Sequence, residues 1–207
     1  MFIEMESDNY KTISSSSKGI YKEKGSRFLA FAFHVVSQEE IRPIIEGIRK
    51  EYHDARHHCY AYMIGKERLI WRTNDDGEPS GTAGRPILGQ INSSGLTNIL
   101  IIVSRYFGGT LLGVSGLINA YKTAAADAIR NAEIVERTLH EYYKIVFPYT
   151  SMNDVMKILK EEDIGQTGQS FELECSIIIN FRVSASEKII GRLTRVEGVK
   201  YIYLETK

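Results

Sequence analysis

The spacing of hydrophobic and polar positions in residues 1–134 predicts a sheet combined with helices. Residues 28–36 (FLAFAFHVV) and 57–64 (HHCYAYMI) are rich in aromatic and aliphatic side chains, which favours strands. Residues 98–103 (NILIIV) are apolar almost throughout and predict a central strand that is covered on both faces. Between residues 113 and 132, apolar side chains recur every three or four positions, so this segment predicts a long helix.

An amphipathic helix is predicted between the first two of these strands. Isoleucines recur at helical spacing up to Tyr52, and Ser37 with Glu40 has the spacing of a capping box at the helix start. Pro43 falls near the first turn, where a missing N–H is tolerated. The other elements predicted in this half are a strand at residues 68–73, paired with residues 57–64, and a short helix at residues 85–92.

The last third of the chain predicts a small sheet with two helices. In residues 171–183 apolar and mostly polar side chains alternate, as in a strand with one buried and one solvated face. Ser151 and Ser184 are each followed three residues later by an acidic residue, which predicts two helix starts. The predicted elements are, in order, a strand at 138–149, a helix to about 162, strands at 164–169 and 171–183, a helix ending near 198, and a strand at 199–204. This βαββαβ order is that of the ferredoxin-like fold.

The predicted fold class is therefore α+β, with one domain in residues 1–134 and a second in residues 138–207. The two cysteines, Cys59 and Cys175, fall in different domains, so we expect no disulfide and interpret both as small buried hydrophobes. The serine run at residues 14–17 is interpreted as a flexible lead-in.

Charge and composition restrict the classes of function. The chain of 207 residues has a formal net charge of zero, with 16 basic and 15 acidic groups in residues 1–134 and 10 and 11 in the rest. This balance argues against a protein that holds nucleic acid by bulk electrostatics, although a local basic patch remains possible. The longest aliphatic run, residues 99–103, is too short to cross a bilayer, and the polar start of the chain lacks a signal-peptide pattern. We therefore expect a cytoplasmic protein with no membrane partner.

A glycine-rich turn lies between the central strand and the long helix. Gly108 and Gly109 precede it, and Ser115 offers a hydroxyl in its first turn. Backbone N–H groups at such a turn can hold an anion. No lysine follows at Walker A spacing, so the glycines could equally serve only to make a sharp turn.

Arg105 is predicted just beyond the apolar core of the central strand, and an acidic loop precedes it in the sequence. Its guanidinium could hold a phosphate or carboxylate of a partner, or it could pair internally with Asp75, Asp76 or Glu78. These three carboxylates could in turn hold Mg²⁺ together with substrate phosphates, or they could reflect the usual preference of acidic residues for turns.

The other polar side chains of this region do not match known catalytic motifs. His57 and His58 point to opposite faces of a strand and cannot share a zinc ion, so one histidine facing the acidic loop is the better interpretation. Thr82 and Ser115 are not surrounded by a G-x-S-x-G motif, which argues against a serine hydrolase.

Several motifs together resemble the YigZ/IMPACT family, over nearly the whole chain. The motifs are Lys24-x-Ser26-Arg27-Phe28, His57-x-Cys59-x-Ala61, residues 75–84 (DDGEPSGTAG), and residues 102–109 (IVSRYFGG) followed by Leu112-Gly113. The resemblance implies a first domain similar to a domain of a small-subunit ribosomal protein, and a ferredoxin-like second domain similar to one in the elongation factors. It also implies a role in translation, because eukaryotic members act in translational control, but it brings no agreed set of catalytic residues.

The leading hypothesis is a cytoplasmic binding protein acting on translation, with RNA, the ribosome or a ribosome-associated protein as its partner. The candidate binding residues lie in the acidic loop, at the strand end and in the glycine turn: His57, Asp75, Asp76, Glu78, Thr82, Arg85, Arg105, Gly108, Gly109 and Ser115. The alternative is an enzyme acting on a phosphorylated or acidic small molecule, for which Mg²⁺ would be the cofactor. A third interpretation makes the polar cluster an internal, salt-bridged staple.

Overall fold

A computed structural model describes residues 8–172 and 174–207. Residues 1–7, at the polar start of the chain, and Leu173 lie outside the described residues. The strands are β1 (Asn9–Ile13), β2 (Ser17–Glu23), β3 (Ser26–His34), β4 (His57–Ile64), β5 (Ile70–Asn74), β6 (Ile99–Tyr106), β7 (Ile134–Thr138), β8 (His140–Pro148), β9 (Gly165–Phe171), β10 (Glu174–Arg182) and β11 (Lys200–Thr206). The helices are α1 (Ile41–Glu51), α2 (Gly84–Ser93), α3 (Gly113–Arg130), α4 (Met152–Glu161) and α5 (Ser186–Leu193). No helix in these ranges is both long and apolar enough to span a membrane.

The chain divides into two compact units. One unit is residues 10–137, and the other is residues 138–207 together with Asp8 and Asn9. These limits differ from the predicted domains in two ways: Asp8 and Asn9 group with the second unit, and the first unit extends to Arg137. Asp8 belongs there because its carboxylate accepts the backbone N–H of Ser184 at 3.0 Å.

The first unit is built on a five-stranded antiparallel sheet of order β2-β3-β6-β4-β5. The predicted strand at residues 57–64 is confirmed as β4, and β6 lies in the centre with Ile99 to Val103 fully buried. Alternate residues of β4 face two different cores, as the period of a strand requires. Cys59 packs in the core that includes α2 and α3, and Tyr62 packs in the core that includes α1. The sheet therefore lies between two helical layers.

The helix α3 lies close against β2 because small residues meet at their contact. Ala124, Ala125 and Ala128 are fully buried. A Cβ on Gly19 of β2 would lie 2.3 Å from the backbone nitrogen of Ala128, so only glycine fits there. The alanine-rich sequence that predicted this helix thus also sets how near the sheet can approach.

Two details of the first unit differ from the sequence predictions. The capping box at Ser37 is wrong, because α1 begins four residues later at Ile41, whose N–H donates to the carbonyl of Gln38 in a preceding turn. The serine run is not a free lead-in, since it joins two strands and the Ser17 hydroxyl donates to the carbonyl of Ala128 at 2.7 Å. Strands β1 and β2 lack long apolar runs, which explains why the sequence analysis did not predict them as strands.

The second unit has a four-stranded sheet of order β11-β8-β10-β9. Numbered within the unit this order is 4-1-3-2, and the chain order is βαββαβ, as expected for the ferredoxin-like fold. The apolar face of β10 is buried at Cys175, Ile177 and Ile179, as its alternation predicts. The α+β fold class is confirmed.

Both predicted capping boxes of the second unit are wrong. Neither α4 nor α5 has a side-chain hydrogen bond at its cap. The Ser151 hydroxyl donates instead to the carbonyl of Glu197 at 2.7 Å, and the Ser184 hydroxyl donates to the carboxylate of Asp8. Both serines are therefore used for tertiary contacts, which local spacing does not reveal.

Candidate functional site

A row of three side chains crosses the sheet at the end of β6. Arg105 is paired with Phe28 of β3 on one side and with His57 of β4 on the other. Directly paired residues of antiparallel strands project to the same face, and this face is the one covered by α2 and α3. Arg105 lies inside the strand rather than beyond its apolar core, and only 6% of the residue is exposed.

Arg105 forms a buried ion pair with Glu78 of the acidic loop. Its Nη1 lies 2.6 Å from Glu78 Oε1, and the side chains are 7% and 3% exposed. The same carboxylate oxygen accepts the hydroxyl of Tyr121 of α3 at 2.8 Å. Of the two interpretations of Arg105, the structure shows internal pairing, and the partner is Glu78 rather than Asp75 or Asp76. The pair joins the loop, the sheet and α3.

The Nε–H of Arg105 takes no part in this pair. Its Nε is buried and has no hydrogen-bond partner among the described residues. The guanidinium carbon lies 5.5 Å from the ring centre of Phe28 and 5.7 Å from that of Phe107, so two aromatic faces stabilise its charge.

Asp75 holds the loop by accepting hydrogen bonds from its backbone. One carboxylate oxygen accepts the N–H of Gly81 at 2.8 Å, and the other accepts those of Ala83 at 3.1 Å and Gly84 at 2.8 Å. These last two N–H groups lie at the start of α2, where a carboxylate also interacts favourably with the helix dipole. Asp75 is therefore an internal cap.

The carboxylate of Asp76 accepts hydrogen bonds from residues outside the loop. Its side chain accepts Arg49 Nη2 at 2.5 Å and the backbone N–H of His58 at 2.6 Å, while its carbonyl lies 2.8 Å from His57 Nδ1. His57 Nε2 lies 3.9 Å from Glu78 Oε1. Within the part of the chain that the structure describes, no three histidine, cysteine or acidic side chains are arranged to hold a metal ion. The carboxylates of Asp75, Asp76 and Glu78 therefore have different partners and do not converge on a common site.

The two histidines have different surroundings. His57 faces the acidic loop, whereas His58 lies on the other face of β4 and its Nδ1 is 2.8 Å from Ser104 Oγ. Burial lowers the pKa of His58, and the charges of Arg49 and His57 add to this effect, against the opposing charge of Asp76. His58 is therefore neutral near pH 7.

A chain of hydrogen bonds connects Cys59 to the ion pair through Tyr121. Cys59 Sγ donates to the Tyr121 oxygen at 3.3 Å, and Tyr121 donates to Glu78. Burial raises the pKa of Cys59 and that of Tyr121 well above their ordinary values. Both groups stay protonated at neutral pH, so neither supplies a nucleophile or a base. The second cysteine, Cys175, is also a buried free thiol.

The remaining candidate residues lie in turns and on the surface. Thr82 is buried, and its hydroxyl donates to the carbonyl of Pro79 at 2.7 Å. Arg85 and Ser115 are exposed, at the starts of α2 and α3 respectively. The structure brings His57, Glu78 and Arg105 together, but it gives Thr82 a structural role within the loop.

The two turn glycines have different reasons to be glycine. A Cβ on Gly108 would lie 1.9 Å from the carbonyl carbon of Gly25, so the glycine allows two backbones to touch. Gly109 has open space around it and a φ of +85°, which only glycine adopts readily. The turn therefore fixes the β2–β3 hairpin beside the end of β6.

Comparison with known proteins assigns the chain to a family. The Impact N-terminal domain family matches residues 24–129, just over half of the chain. The IMPACT family member YvyE of Bacillus subtilis is 35% identical over 153 residues, which cover 74% of this chain and 70% of that protein. The chain belongs to the IMPACT family.

Two further comparisons extend this assignment. The IMPACT family member YigZ of Escherichia coli is 36% identical over 157 residues, covering 72% of this chain and 76% of that protein. A solved crystal structure of a hypothetical protein is 26% identical, with a TM-score of 0.69, and covers 95% of this chain and 98% of that chain. The family predicted from the motifs is thus confirmed.

The structure contains a basic groove beside the glycine turn of this IMPACT family protein. The sequence did not predict this groove. Its volume is about 530 Å³, which lies within the usual range of ligand clefts, about 300–1,000 Å³. Its lining residues are Lys22, Glu23, Lys24, Gly25, Ser26, Arg27 and Tyr106. The signal was present, since the Lys24-x-Ser26-Arg27 motif supplies two of its three cations, but the hairpin that brings them to Tyr106 was not predicted.

Two arginines lie over aromatic rings at this end of the sheet. The guanidinium carbon of Arg27 is 4.4 Å from the ring centre of Tyr106, and that of Arg56 is 5.7 Å from the ring centre of Phe107. Both arginines are exposed, and Phe107 is 40% exposed. The result is a surface with planar cations and accessible rings.

Proposed function

We propose that this protein is a cytoplasmic binding protein acting on translation, which contacts RNA of the ribosome through the basic groove and the two arginine–aromatic pairs. The observation that carries the proposal is the pairing of Arg27 with Tyr106 and of Arg56 with Phe107 beside a groove that holds three cations and one carboxylate. A role in translation is also what the resemblance to the family implies, because its eukaryotic members act in translational control.

The chemistry of this surface fits single-stranded or looped RNA. Exposed bases stack on aromatic rings and on guanidinium planes, and lysines neutralise the phosphates. Lys22, Lys24 and Tyr106 line the groove, and Phe107 follows Tyr106 in the chain. A local patch of this kind is compatible with a net charge of zero, because screening limits the reach of distant charges to about 8–10 Å at physiological salt.

In this proposal the residues of the acidic loop act as scaffold for the binding surface. The Glu78–Arg105 pair anchors the loop, and Arg105 in turn lies against Phe107. Gly108 fixes the hairpin that carries Lys24 and Arg27. The partner would contact the exposed residues around the loop. The predicted binding residues Asp75, Asp76 and Glu78 would affect binding only by holding those exposed residues in place.

The geometry offers less support for the alternative, an enzyme with Mg²⁺. Both Asp75 oxygens already accept backbone N–H groups, and both Asp76 oxygens have partners of their own. The high pKa values of Cys59 and Tyr121 leave no activated nucleophile among them. A calorimetric titration with Mg²⁺ and nucleotides that released heat with a saturable stoichiometry would favour the enzyme.

The test is fluorescence anisotropy with a labelled single-stranded RNA, for the wild type and for the double variant Arg27→Ala/Arg56→Ala. We expect the double variant to bind at least about tenfold more weakly and its salt slope to fall by about two, since two phosphate or stacking contacts are lost. Arg130→Ala is the matched control, because Arg130 is exposed at the end of α3 and belongs to neither arginine–aromatic pair. Equal affinity for the wild type and the double variant would contradict the proposed surface.

A further inference from the structure

Strand β5 forms an open edge of the first unit's sheet. It pairs with β4, and no strand of the described residues pairs with its other side. The side chains there are unusually apolar for an exposed edge, since Leu69 is 80%, Ile70 45% and Trp71 56% exposed. Edge strands present unpaired backbone N–H and C=O groups, and proteins usually protect them with charge, proline or a covering element.

The two faces of this edge differ in chemistry. Arg72 is paired with Tyr62 and projects to the face covered by α1, while Trp71 is paired with Met63 and projects to the face covered by α2. The face of Arg72 also contains a groove of 400 Å³ between α1 and the edge. Its lining is Gln38, Ile41, Arg42, Ile45, Glu46, Arg49, Tyr60, Tyr62, Arg72 and Asn74.

This groove carries an excess of positive charge. Arg42 pairs with Glu46 and Arg49 pairs with Asp76, both in partly exposed positions. The side chain of Arg72 is exposed and has no hydrogen-bond or ion-pair partner among the described residues. Three lining residues are arginines, and Glu46 and Asp76 neutralise two of them. The surplus is the single positive charge of Arg72, so the groove favours a negatively charged group.

We propose that the free edge of β5 binds an extended peptide segment of a partner protein as an added strand, with acidic side chains facing Arg72 and apolar side chains facing Trp71. Backbone hydrogen bonds to the edge supply affinity in this mode of recognition, and alternate side chains supply specificity. An added strand would lie about 4.8 Å from β5, which brings its side chains within reach of Arg72 on one face and of the Trp71 ring on the other. The groove behind Arg72 lets long acidic side chains approach Arg42 and Arg49.

A second copy of the chain fits the same edge less well. Antiparallel pairing of two β5 strands about their middle residue, Arg72, would place two arginines directly opposite each other. Like charges in that position are destabilising. Charge complementarity therefore favours an acidic peptide over self-association.

The test uses Trp71, the single tryptophan of the chain, as a local reporter. The probe is a capped heptapeptide alternating glutamate and valine, titrated into the full chain while tryptophan emission is recorded. We expect a saturable blue shift, because an added strand would cover the exposed ring. The Arg72→Glu variant should bind at least about tenfold more weakly, equivalent to about 1.4 kcal/mol. Lys122→Glu is the control, an equal charge reversal at an exposed position of α3.

Two control ligands keep the proposal open to refutation. A peptide with two consecutive prolines at its centre lacks an N–H facing β5 in either register and should give no shift. The proposal is overturned if the alternating peptide gives no shift at about 1 mM, far above the micromolar range of weak specific peptides. It is also overturned if the proline peptide or the Arg72→Glu variant binds as well, if single-stranded RNA alone produces the shift, or if sedimentation shows self-association that buries Trp71.

Discussion

Arg105 Nη1 lies 2.6 Å from Glu78 Oε1, with both side chains almost fully buried. These two residues are the ones that most resemble a binding site in the sequence, yet in the structure they bind each other. Their pair connects the acidic loop to the central strand, and Tyr121 connects it further to α3. The acidic loop is therefore a structural element, and contact with a partner is left to the exposed residues around it.

Replacing Glu78 should reveal the cost of leaving Arg105 without its counter-ion. We expect Glu78→Gln to lower the free energy of unfolding by about 3–5 kcal/mol, because a buried charge would lose its partner. The measurement is urea denaturation. The control is Glu46→Gln in the exposed Arg42–Glu46 pair, where a loss of no more than about 0.5 kcal/mol is expected. Equal losses for the two variants would show that the buried pair has no special role.

Asp75→Ala should destabilise the loop and the start of α2. The variant leaves three backbone N–H groups without their acceptor, and we expect a loss of about 2 kcal/mol or more. Hydrogen exchange should show the faster rates first at Ala83 and Gly84. Asp154→Ala, an exposed first-turn residue of α4, should cost only about 0.3–1 kcal/mol. Unchanged exchange at the start of α2 would refute the capping role.

Substitution of turn and helix glycines should have opposite effects. Gly108→Ala would force a Cβ to 1.9 Å from Gly25, and we expect a loss of about 3 kcal/mol with a shifted β2–β3 hairpin. Gly47→Ala, in the middle of α1 with nothing within 4 Å, should raise stability by up to about 1 kcal/mol. Thermal unfolding compares the two variants. A neutral Gly108→Ala would mean that the hairpin is not held by this contact.

Stability should fall on acidification because two histidines, the buried His58 and the half-buried His34, favour their neutral form in the folded chain. Burial is the main cause that lowers the pKa of His58 and of His34 from 6.5. Below about pH 6.5 the unfolded chain binds these protons while the folded chain does not, so the free energy of unfolding decreases as the pH falls through this value. His58→Gln should show a smaller drop between pH 7 and pH 5 than the wild type. An identical pH profile would place the proton uptake elsewhere.

The sequence predicted the elements that bury apolar faces and missed those that depend on distant contacts. Strand β4 and helix α3 have strong periodic patterns, so their positions followed from local spacing. Two of the three predicted capping boxes failed because the hydroxyls of Ser151 and Ser184 have tertiary partners instead, and the third failed because α1 begins four residues after Ser37. Asp75, Glu78 and Arg105 could be recognised as a cluster, but which carboxylate meets the arginine depends on how the loop folds over α2 and the sheet. The basic groove was missed for the same reason, since Arg27 and Tyr106 are distant in sequence and become neighbours only through strand pairing.

Co-sedimentation with ribosomes from a lysate, at low and at high salt, tests the proposed function most directly. We expect the intact protein to migrate with the ribosomes at low salt and to be released at high salt, because the contact is largely electrostatic. The Arg27→Ala/Arg56→Ala variant should remain at the top of the gradient at both salts, whereas the Arg130→Ala control should behave like the wild type. If the wild type itself remains at the top at low salt, the proposed role at the ribosome is contradicted.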